Sequence, residues 1–274
     1  MVELFGDNLI QENRKSSKGI QLKWEDQGIW YKADNLGYEG LSEYLVSNLL
    51  IHSTLEDSEF ILYEPEEILY DSTIFHGCKS RDFSDGWQVI TLERLFSTIY
   101  GIGLYKSIFS ISSHEARLSY LVEQVERVCG IHGFGIYMSK LFAIDALFLN
   151  EDRHTHNISI LTDGKNHYRL CPVYDNGAAL LADTSLDYPL GRDIFELIPK
   201  AKAKTICDSF DEQLELAEKL YGSNIRFSFT KKDVKSLIDK ARGYSDEIRE
   251  RVYDIILEQM RKYPACFLRK SYVG

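Results

Sequence analysis

The sequence predicts an α+β protein in which a small strand-rich amino-terminal part precedes a larger helical part. Alternation of apolar and polar residues dominates the first part, whereas apolar residues at helical spacing dominate the second. Two short alternating runs interrupt the helical part, and Asp163-Gly164 between them is typical of a tight hairpin turn. We therefore predict one lobe over residues 1–85 and a second over 86–274, with the polar segment 80–86 at the boundary.

The first part contains one predicted hairpin, one helix and two further strands. The runs at 20–24 and 29–33 alternate and are separated by turn-forming residues, which predicts a hairpin. Leucines and a valine recur at helical spacing over 40–53, which predicts an amphipathic helix. Strands are predicted at 59–63 and at 73–75.

The second part is predicted to be helical apart from a hairpin with strands at 157–161 and 168–170. Thr230 with Asp233, and Ser245 ahead of two acidic residues, have the composition of helix starts. The predicted helices cover 92–100, 116–129, 134–149, 210–221, 231–242 and 246–263.

The composition of the chain disfavours nucleic acids and membranes as partners. A net charge of −10 over 274 residues disfavours a nucleic-acid groove, since phosphate backbones require a basic face. The most apolar stretch, 131–149, carries Lys140 and Asp145 and does not resemble a membrane span. Five scattered cysteines, odd in number and never in a CxxC, predict reduced thiols and a cytoplasmic protein.

A run of polar residues, in "LNEDRHTHNISIL", follows the most apolar helix. Asp152 and Asn157 precede the first hairpin strand, and Asp175 follows the second. Because a hairpin brings its two ends together, we expect these side chains to converge. Two carboxylates and an amide oxygen suit Mg²⁺, which takes few protein ligands and leaves the rest to water and phosphate. The pattern predicts a magnesium site for phosphoryl transfer.

The order D-R-H-x-x-N followed by "DNG" resembles phosphatidylinositol kinases and the bacterial HipA-like serine/threonine kinases. The context "NEDRHTHNISIL…CPVYDNGAAL" is most similar to the HipA-like family. The resemblance implies a bilobal protein-kinase-like fold with ATP and Mg²⁺ as cofactors. It also implies that Asp152 is the catalytic base, Asn157 a metal ligand and Asp175 the principal Mg²⁺ ligand.

The amino-terminal lobe shows the same resemblance. "GIWYKAD" resembles the strand that carries the lysine for the ATP phosphates, which makes Lys32 the candidate. "LSEYLVSNLL" resembles the next helix, whose glutamate pairs with that lysine, and Glu43 fits best. Lys23 and Glu39 remain the alternatives.

"KSSKGIQLKW" resembles the loop of this family that covers the phosphates, which places Ser16, Ser17 and Gly19 over the nucleotide. Serine autophosphorylation in this loop switches members of the family off, and its occurrence at Ser16 or Ser17 is an open hypothesis.

The hinge that contacts adenine is expected at 77–82, with Cys78 and Lys79 at its centre.

Three polar residues near the loop are predicted to be structural. Asp145 lies inside the apolar helix, and a buried carboxylate requires partners, so we expect it to bind the loop backbone or Arg153. Arg153 and His154 are expected to hold the loop in place by hydrogen bonds rather than to take part in chemistry.

The resemblance implies a bacterial, cytoplasmic serine/threonine protein kinase that phosphorylates a protein, with itself as one candidate substrate and a toxin or effector role as one setting. The chain begins close to the kinase lobe, as in the short stand-alone members, and an antitoxin partner stays open. No nucleic acid or membrane partner is expected. The alternatives are a lipid or small-molecule kinase and a nucleotide-binding pseudokinase. Segment 182–193 is the predicted contributor to a substrate groove.

Overall fold

The computed structural model describes residues 1–10 and 21–268, so Ser16, Ser17 and Gly19 lie outside the described residues. The strands are β1 (Val2–Glu3), β2 (Lys23–Asp26), β3 (Ile29–Ala33), β4 (Glu64–Tyr70), β5 (Thr73–Arg81), β6 (Gln88–Thr91), β7 (Ser159–Thr162) and β8 (Tyr168–Leu170). The α-helices are α1 (Glu39–Leu50), α2 (Leu92–Tyr100), α3 (Leu104–Phe109), α4 (His114–Cys129), α5 (Phe134–Phe148), α6 (Ile194–Leu197), α7 (Phe210–Tyr221), α8 (Lys231–Lys240) and α9 (Asp246–Lys262).

The chain divides into two compact units. Unit 1 comprises Met1–Asp82, Tyr174–Ala201 and Arg226–Gly274, and unit 2 comprises Phe83–Val173 and Lys202–Ile225. The functional division into 1–85 and 86–274 stays a prediction. Among the described residues, no helix combines the length and the apolar character needed to cross a membrane.

Unit 1 is built on a five-stranded sheet in the order β1-β4-β5-β3-β2, with β1 parallel to β4 and the other pairs antiparallel. The predicted hairpin is confirmed as β2 and β3, with Trp24 opposite Tyr31. Alternate side chains of these strands point to one face, where they form an apolar cluster. Its buried members are Leu4, Trp24, Tyr31, Ala33 and Ile68.

Helix α1 packs against the sheet at a very short distance. A Cβ added to Gly40 would lie 2.5 Å from the Gly77 carbonyl carbon, and one added to Gly77 would lie 2.1 Å from the Lys32 oxygen. The helix is buried on almost every side, so the predicted amphipathic pattern is wrong for it. Glycine at these two positions lets α1 approach β5 and lets β5 approach β3, the strand that carries Lys32.

The strand predicted at 59–63 is absent. Asp57–Glu59 forms a 3₁₀ turn, in which the Glu59 carboxylate accepts a hydrogen bond from the Glu56 amide at 3.0 Å. The loop that follows contains Phe60 and Tyr63, which are both buried, and the strand begins only at Glu64. Here the alternating pattern came from a loop that buries two aromatic rings. The strand predicted at 73–75 is the beginning of the longer β5.

Unit 2 contains a three-stranded antiparallel sheet in the order β6-β7-β8. The predicted hairpin is confirmed as β7 and β8, but β6 was not predicted, because its four residues lead directly into α2. Helix α5 is apolar and buried on most sides and packs against α4 and α7. The predicted helices are all present; six have both ends within two residues of the predicted ones, and α1 ends three residues before its predicted end.

The predicted helix starts of α8 and α9, both in unit 1, are confirmed. Thr230 and Asp233 form a capping box, and the Ser245 hydroxyl accepts from the Ile248 amide at 3.3 Å. These caps satisfy amide groups that the first turn leaves without helical partners.

Asp34 joins three parts of unit 1 immediately after β3. Its carboxylate accepts from the Gly40 amide at 2.5 Å and from the Tyr244 hydroxyl at 2.9 Å. Burial raises the pKa of Asp34 to about 7, against the lowering effect of the Gly40 and Tyr244 hydrogen bonds, and the Glu39 carboxylate adds to the rise. The carboxyl is therefore protonated in the folded chain at mildly acidic pH.

Asp34→Asn is expected to change how stability depends on pH. The folded chain keeps the proton up to about pH 7, whereas in the unfolded chain the carboxyl ionises near 3.8. The stability that this raised pKa contributes is present at low pH and is lost as pH rises between these two values. Relative to Asp34→Asn, the wild type should lose up to about 4 kcal/mol over that range.

Urea unfolding at about pH 4 and about pH 8 measures this difference. Asp57→Asn, which changes an exposed aspartate of the 3₁₀ turn, is the control. A gap between wild type and Asp34→Asn that is the same at both pH values would contradict the assignment.

Candidate active site

A buried lysine with two carboxylates forms the polar centre of unit 1. The Lys32 ammonium on β3 lies 2.5 Å from Oε1 of Glu43 on α1 and 2.8 Å from Oδ1 of Asp175. Glu43 is 1% exposed, and its second oxygen accepts from the Asn176 amide at 2.7 Å. The structure thus brings together three residues that sequence reasoning assigned to the nucleotide site.

Electrostatics keep this lysine charged despite its burial. Burial lowers the pKa of Lys32, but the Asp175 and Glu43 carboxylates raise it by more, so the net pKa lies well above its usual value. Burial also raises the pKa of the Cys78 thiol well above its usual value, so the thiol stays neutral. The Lys32 ammonium additionally lies 5.2 Å from the centre of the Tyr63 ring. The site thus holds a charged ammonium between two carboxylates.

The two alternatives left open by the sequence have other positions. Lys23 lies opposite Lys32 in the β2–β3 register, and the lysine that contacts Glu43 is Lys32. Glu39 accepts hydrogen bonds at the start of α1 from the amides of Leu36, at 2.7 Å, and of Gly37, at 3.1 Å.

The segment that carries Asp175 lies along α1. The Ser42 hydroxyl donates to the Ala179 carbonyl at 3.0 Å, and the Tyr38 hydroxyl donates to the Leu180 carbonyl at 2.7 Å. Asp175 itself has a φ of +60°, in the left-handed region, which aspartate adopts more readily than most residues other than glycine.

The predicted hinge residues are misplaced and require correction. Cys78 and Lys79 lie inside β5, with β3 on one side of them and β4 on the other. A hinge backbone must be open on one edge to bind adenine, and a central strand has no open edge. The Cys78 side chain is buried, and the Lys79 ammonium pairs with Glu66 at 3.0 Å. Neither residue can serve as the hinge.

The polar loop of unit 2 holds Asp152 and Asn157 against each other. The Asn157 amide nitrogen donates to the Asp152 carboxylate at 2.8 Å and to its backbone carbonyl at 2.9 Å. In this orientation the Asn157 side-chain oxygen accepts no hydrogen bond from the described residues. The Asp152 carboxylate is 46% exposed, and its Oδ1 lies 3.3 Å from Nε2 of His154. The loop therefore presents one accessible carboxylate and one amide oxygen.

A buried ion pair connects this loop to α5. Nε of Arg153 lies 3.3 Å from both carboxylate oxygens of Asp145 in α5, and its Nη1 reaches the Asn157 carbonyl at 3.5 Å. Burial raises the pKa of Asp145 to about 6, although Arg153 acts to lower it. The structural role expected for Asp145 from the sequence is found, with Arg153 as its partner.

Sequence reasoning missed a second layer of polar residues under the loop. The Thr155 hydroxyl donates to the buried Glu93 carboxylate at 2.8 Å, and the same carboxylate oxygen accepts from the Tyr105 amide at 2.8 Å. The Thr205 hydroxyl donates to the Arg153 carbonyl, and Gln213 accepts from the Thr205 amide at 3.2 Å. Glu93 in the first turn of α2 resembles an ordinary helix start, and no motif singles it out.

Comparison with known proteins shows which fold the chain has. No protein-family model matches the chain, and no curated protein is significantly similar to it. Among solved structures, the chain is similar to the crystal structure of the Helicobacter pylori proinflammatory kinase CtkA, with a TM-score of 0.63 and 15% sequence identity over 95% of each chain. The predicted fold class, a mixed α and β protein-kinase-like fold, is confirmed by this likeness.

Asp145→Ala is expected to destabilise the chain by about 3–5 kcal/mol, because it leaves the buried Arg153 guanidinium without its carboxylate. Urea unfolding measures the change. Asp239→Ala is the control, since Asp239 forms an exposed pair with Lys235 and should cost less than about 1 kcal/mol. The double variant Asp145→Leu with Arg153→Met should recover much of the loss. If Asp145→Ala and Asp239→Ala lower the free energy of unfolding equally, the assignment of Asp145 and Arg153 as a stabilising buried ion pair is contradicted.

Proposed function

We propose that the protein is an ATP- and Mg²⁺-dependent kinase of the HipA-like type that phosphorylates serine or threonine on a protein. The observation that carries the proposal is the buried Lys32, held by Glu43 and Asp175. A solvated structural lysine needs no such partners, whereas phosphoryl transfer needs a fixed cation for the nucleotide phosphates. The kinase-like fold supports the same reading.

The donor atoms suit magnesium. Asp175 offers a carboxylate, and Asn157 offers an amide oxygen that the described residues leave without a donor. Hard oxygen ligands in small number are what Mg²⁺ takes from proteins, with water and phosphate completing the shell. When bound, Mg²⁺ neutralises charge on the phosphates. We assign both residues to metal binding.

Asp152 is assigned as the catalytic base. Its exposed carboxylate accepts the proton of the attacking hydroxyl as the oxygen forms its bond to the γ-phosphorus and ADP leaves. One hydrogen bond from Asn157 orients this carboxylate and a second binds the Asp152 backbone carbonyl, and orientation accounts for much of the rate enhancement in phosphoryl transfer.

Lys32 is assigned to the nucleotide phosphates, and Glu43 positions it. Because Glu43 also accepts from the Asn176 amide, the helix, the lysine strand and the segment of Asp175 share one polar contact. Ser16, Ser17 and Gly19 belong to the phosphate-covering loop in this proposal, with Ser16 or Ser17 as candidates for autophosphorylation.

The remaining parts of the proposal follow from the family resemblance. The chain is a bacterial cytoplasmic enzyme with a protein substrate, and it acts as a toxin or effector under the control of an antitoxin or another regulator. Residues 1–85 form the nucleotide lobe and residues 86–274 the catalytic lobe.

Intact-mass analysis after incubation with Mg²⁺-ATP, followed by mapping of the phosphorylated site, tests the activity. Wild type should gain phosphate on a serine or threonine, whereas Asp152→Ala and Lys32→Met should lose about 10²–10⁴-fold in rate, because each lacks one group that the transition state requires. Lys23→Met, on the neighbouring strand, is the matched control and should retain activity.

Three results would contradict parts of the proposal. Loss of transfer in Lys23→Met with activity retained in Lys32→Met would reverse the lysine assignment. Transfer to phosphoinositides alone would indicate a lipid kinase. Tight ATP binding with no transfer to any hydroxyl would indicate a nucleotide-binding regulator.

A further inference from the structure

Unit 2 contains a cavity of about 490 Å³, within the range of sites that bind small molecules or side chains. The helices α3 and α4, the polar loop after α5 and the segment before α7 form its walls. The lining residues are Tyr105, Phe109, His114, Arg117, His154, His156, Ala203, Lys204, Cys207 and Asp208.

The lining of this cavity is rich in basic side chains in a chain with a net charge of −10. Arg117 and Lys204 are cationic, and three of the seven histidines of the chain line the same space. The one acidic side chain in the lining, Asp208, is paired with Lys202 at 3.1 Å. The fixed charges of the lining are therefore two cations, Arg117 and Lys204, and one carboxylate that Lys202 already pairs, so the lining itself favours an anionic group.

The cavity lies beside the proposed catalytic base. His154 and Lys204 line it, and Oδ1 of Asp152 is 3.3 Å from Nε2 of His154 and 3.9 Å from Nζ of Lys204. Nδ1 of His154 is buried and has no hydrogen-bond partner within residues 1–10 and 21–268. A group bound in the cavity would therefore lie next to the hydroxyl that Asp152 deprotonates.

The cationic wall is rigid. Nε and Nη1 of Arg117 each donate at 2.7 Å to a backbone carbonyl, of Ile111 and Ile206, and the guanidinium lies 4.7 Å from the centre of the Phe109 ring. The rings of Tyr105 and Phe109 pack 4.4 Å apart and form an apolar side. A rigid cation beside aromatic rings favours a short carboxylate side chain with its aliphatic stem.

A metal site in this wall is a weaker explanation. His114, Cys207 and Glu212 have ligand atoms within 4.8 Å of one another. Nδ1 of His114 lies 2.6 Å from the Glu212 carboxylate, which is a hydrogen bond, and the Cys207 thiol donates to the Ser209 carbonyl at 3.5 Å. Burial raises the pKa of Cys207 to about 11. His114 and Glu212 are thus already hydrogen-bonded to each other, and Cys207 is a neutral thiol.

We propose that this cavity binds an acidic side chain of the substrate peptide, aspartate or glutamate, next to the serine or threonine that is phosphorylated. The inference rests on the proposed function, because it assigns the substrate class of the same enzyme. A peptide is favoured over a phosphoinositide headgroup, because the acidic chain would be repelled by an anionic membrane surface.

The test uses two dye-labelled serine peptides that differ only in flanking residues, glutamate in one and lysine in the other. Binding is measured by fluorescence anisotropy and phosphate transfer by kcat/KM, with wild type, Lys204→Glu and Lys165→Glu. Lys165 lies exposed in the β7–β8 turn, so Lys165→Glu makes the same charge change away from the cavity. Phosphoinositide vesicles form a separate arm.

Wild type and Lys165→Glu should prefer the glutamate peptide by about fivefold or more in both measurements, and Lys204→Glu should prefer the lysine peptide. Equal use of both peptides by wild type, a change in Lys165→Glu as large as that in Lys204→Glu, or binding of vesicles in place of peptides would overturn the inference.

Failure of the proposed function has a different signature. The anisotropy preference does not depend on chemistry, so a preference without any phosphate transfer refutes the kinase and leaves the cavity assignment standing. Phosphate transfer without a preference between the two peptides refutes the cavity assignment and leaves the kinase proposal standing.

Discussion

The constraint on which unit 1 depends is the burial of a charged lysine. An ammonium removed from water is tolerated only when carboxylates and hydrogen bonds replace its hydration, and Lys32 has Glu43 and Asp175 within 2.8 Å. The Lys32–Glu43 contact joins β3 to α1, while Gly40 lets α1 pack closely on β5 and Gly77 lets β5 pack closely on β3. The same glutamate also fixes the segment of Asp175, because its carboxylate binds the Asn176 amide.

Unit 2 also contains a buried charged pair, formed by Asp145 and Arg153. Its apolar helix α5 ends next to a loop of polar residues, and the Asp145–Arg153 pair connects the two inside the core. Removing either partner would leave the other charge buried without its opposite charge, whereas an exposed pair would hold the loop weakly. The exposed Asp152 carboxylate is thus attached to a rigid support. Both units thus contain a buried ion pair, which favours a fixed geometry of the segments that it joins.

Local pattern predicted the helices and the two hairpins well, because each is encoded by neighbouring residues: apolar spacing, Thr230 and Ser245 as caps, and the Asp163-Gly164 turn. Local pattern gave wrong predictions where tertiary packing determines the structure. The alternation at 59–63 came from a loop, and α1 is buried on nearly all sides instead of being amphipathic.

The same distinction applies to the site. Motif spacing singled out Lys32, Glu43, Asp152, Asn157 and Asp175, and their functional roles stay predictions. Cys78 and Lys79 were misassigned because the end of β5 depends on its pairing with two strands that a one-dimensional pattern does not specify. Glu93, Thr155 and Thr205 were missed because their partners are distant in sequence. The basic cavity likewise gathers residues from four separate segments.

Calorimetric titration with ATP, in the presence and absence of Mg²⁺, tests the central claim most directly. Wild type should bind ATP more tightly with Mg²⁺ than without it, and Asp175→Asn should lose that dependence while Asp163→Asn, in the β7–β8 turn, keeps it. Lys32→Met should weaken binding under both conditions. If wild type binds no ATP with Mg²⁺, or if Asp175→Asn keeps the full magnesium dependence, then the buried ion pair is only a structural support.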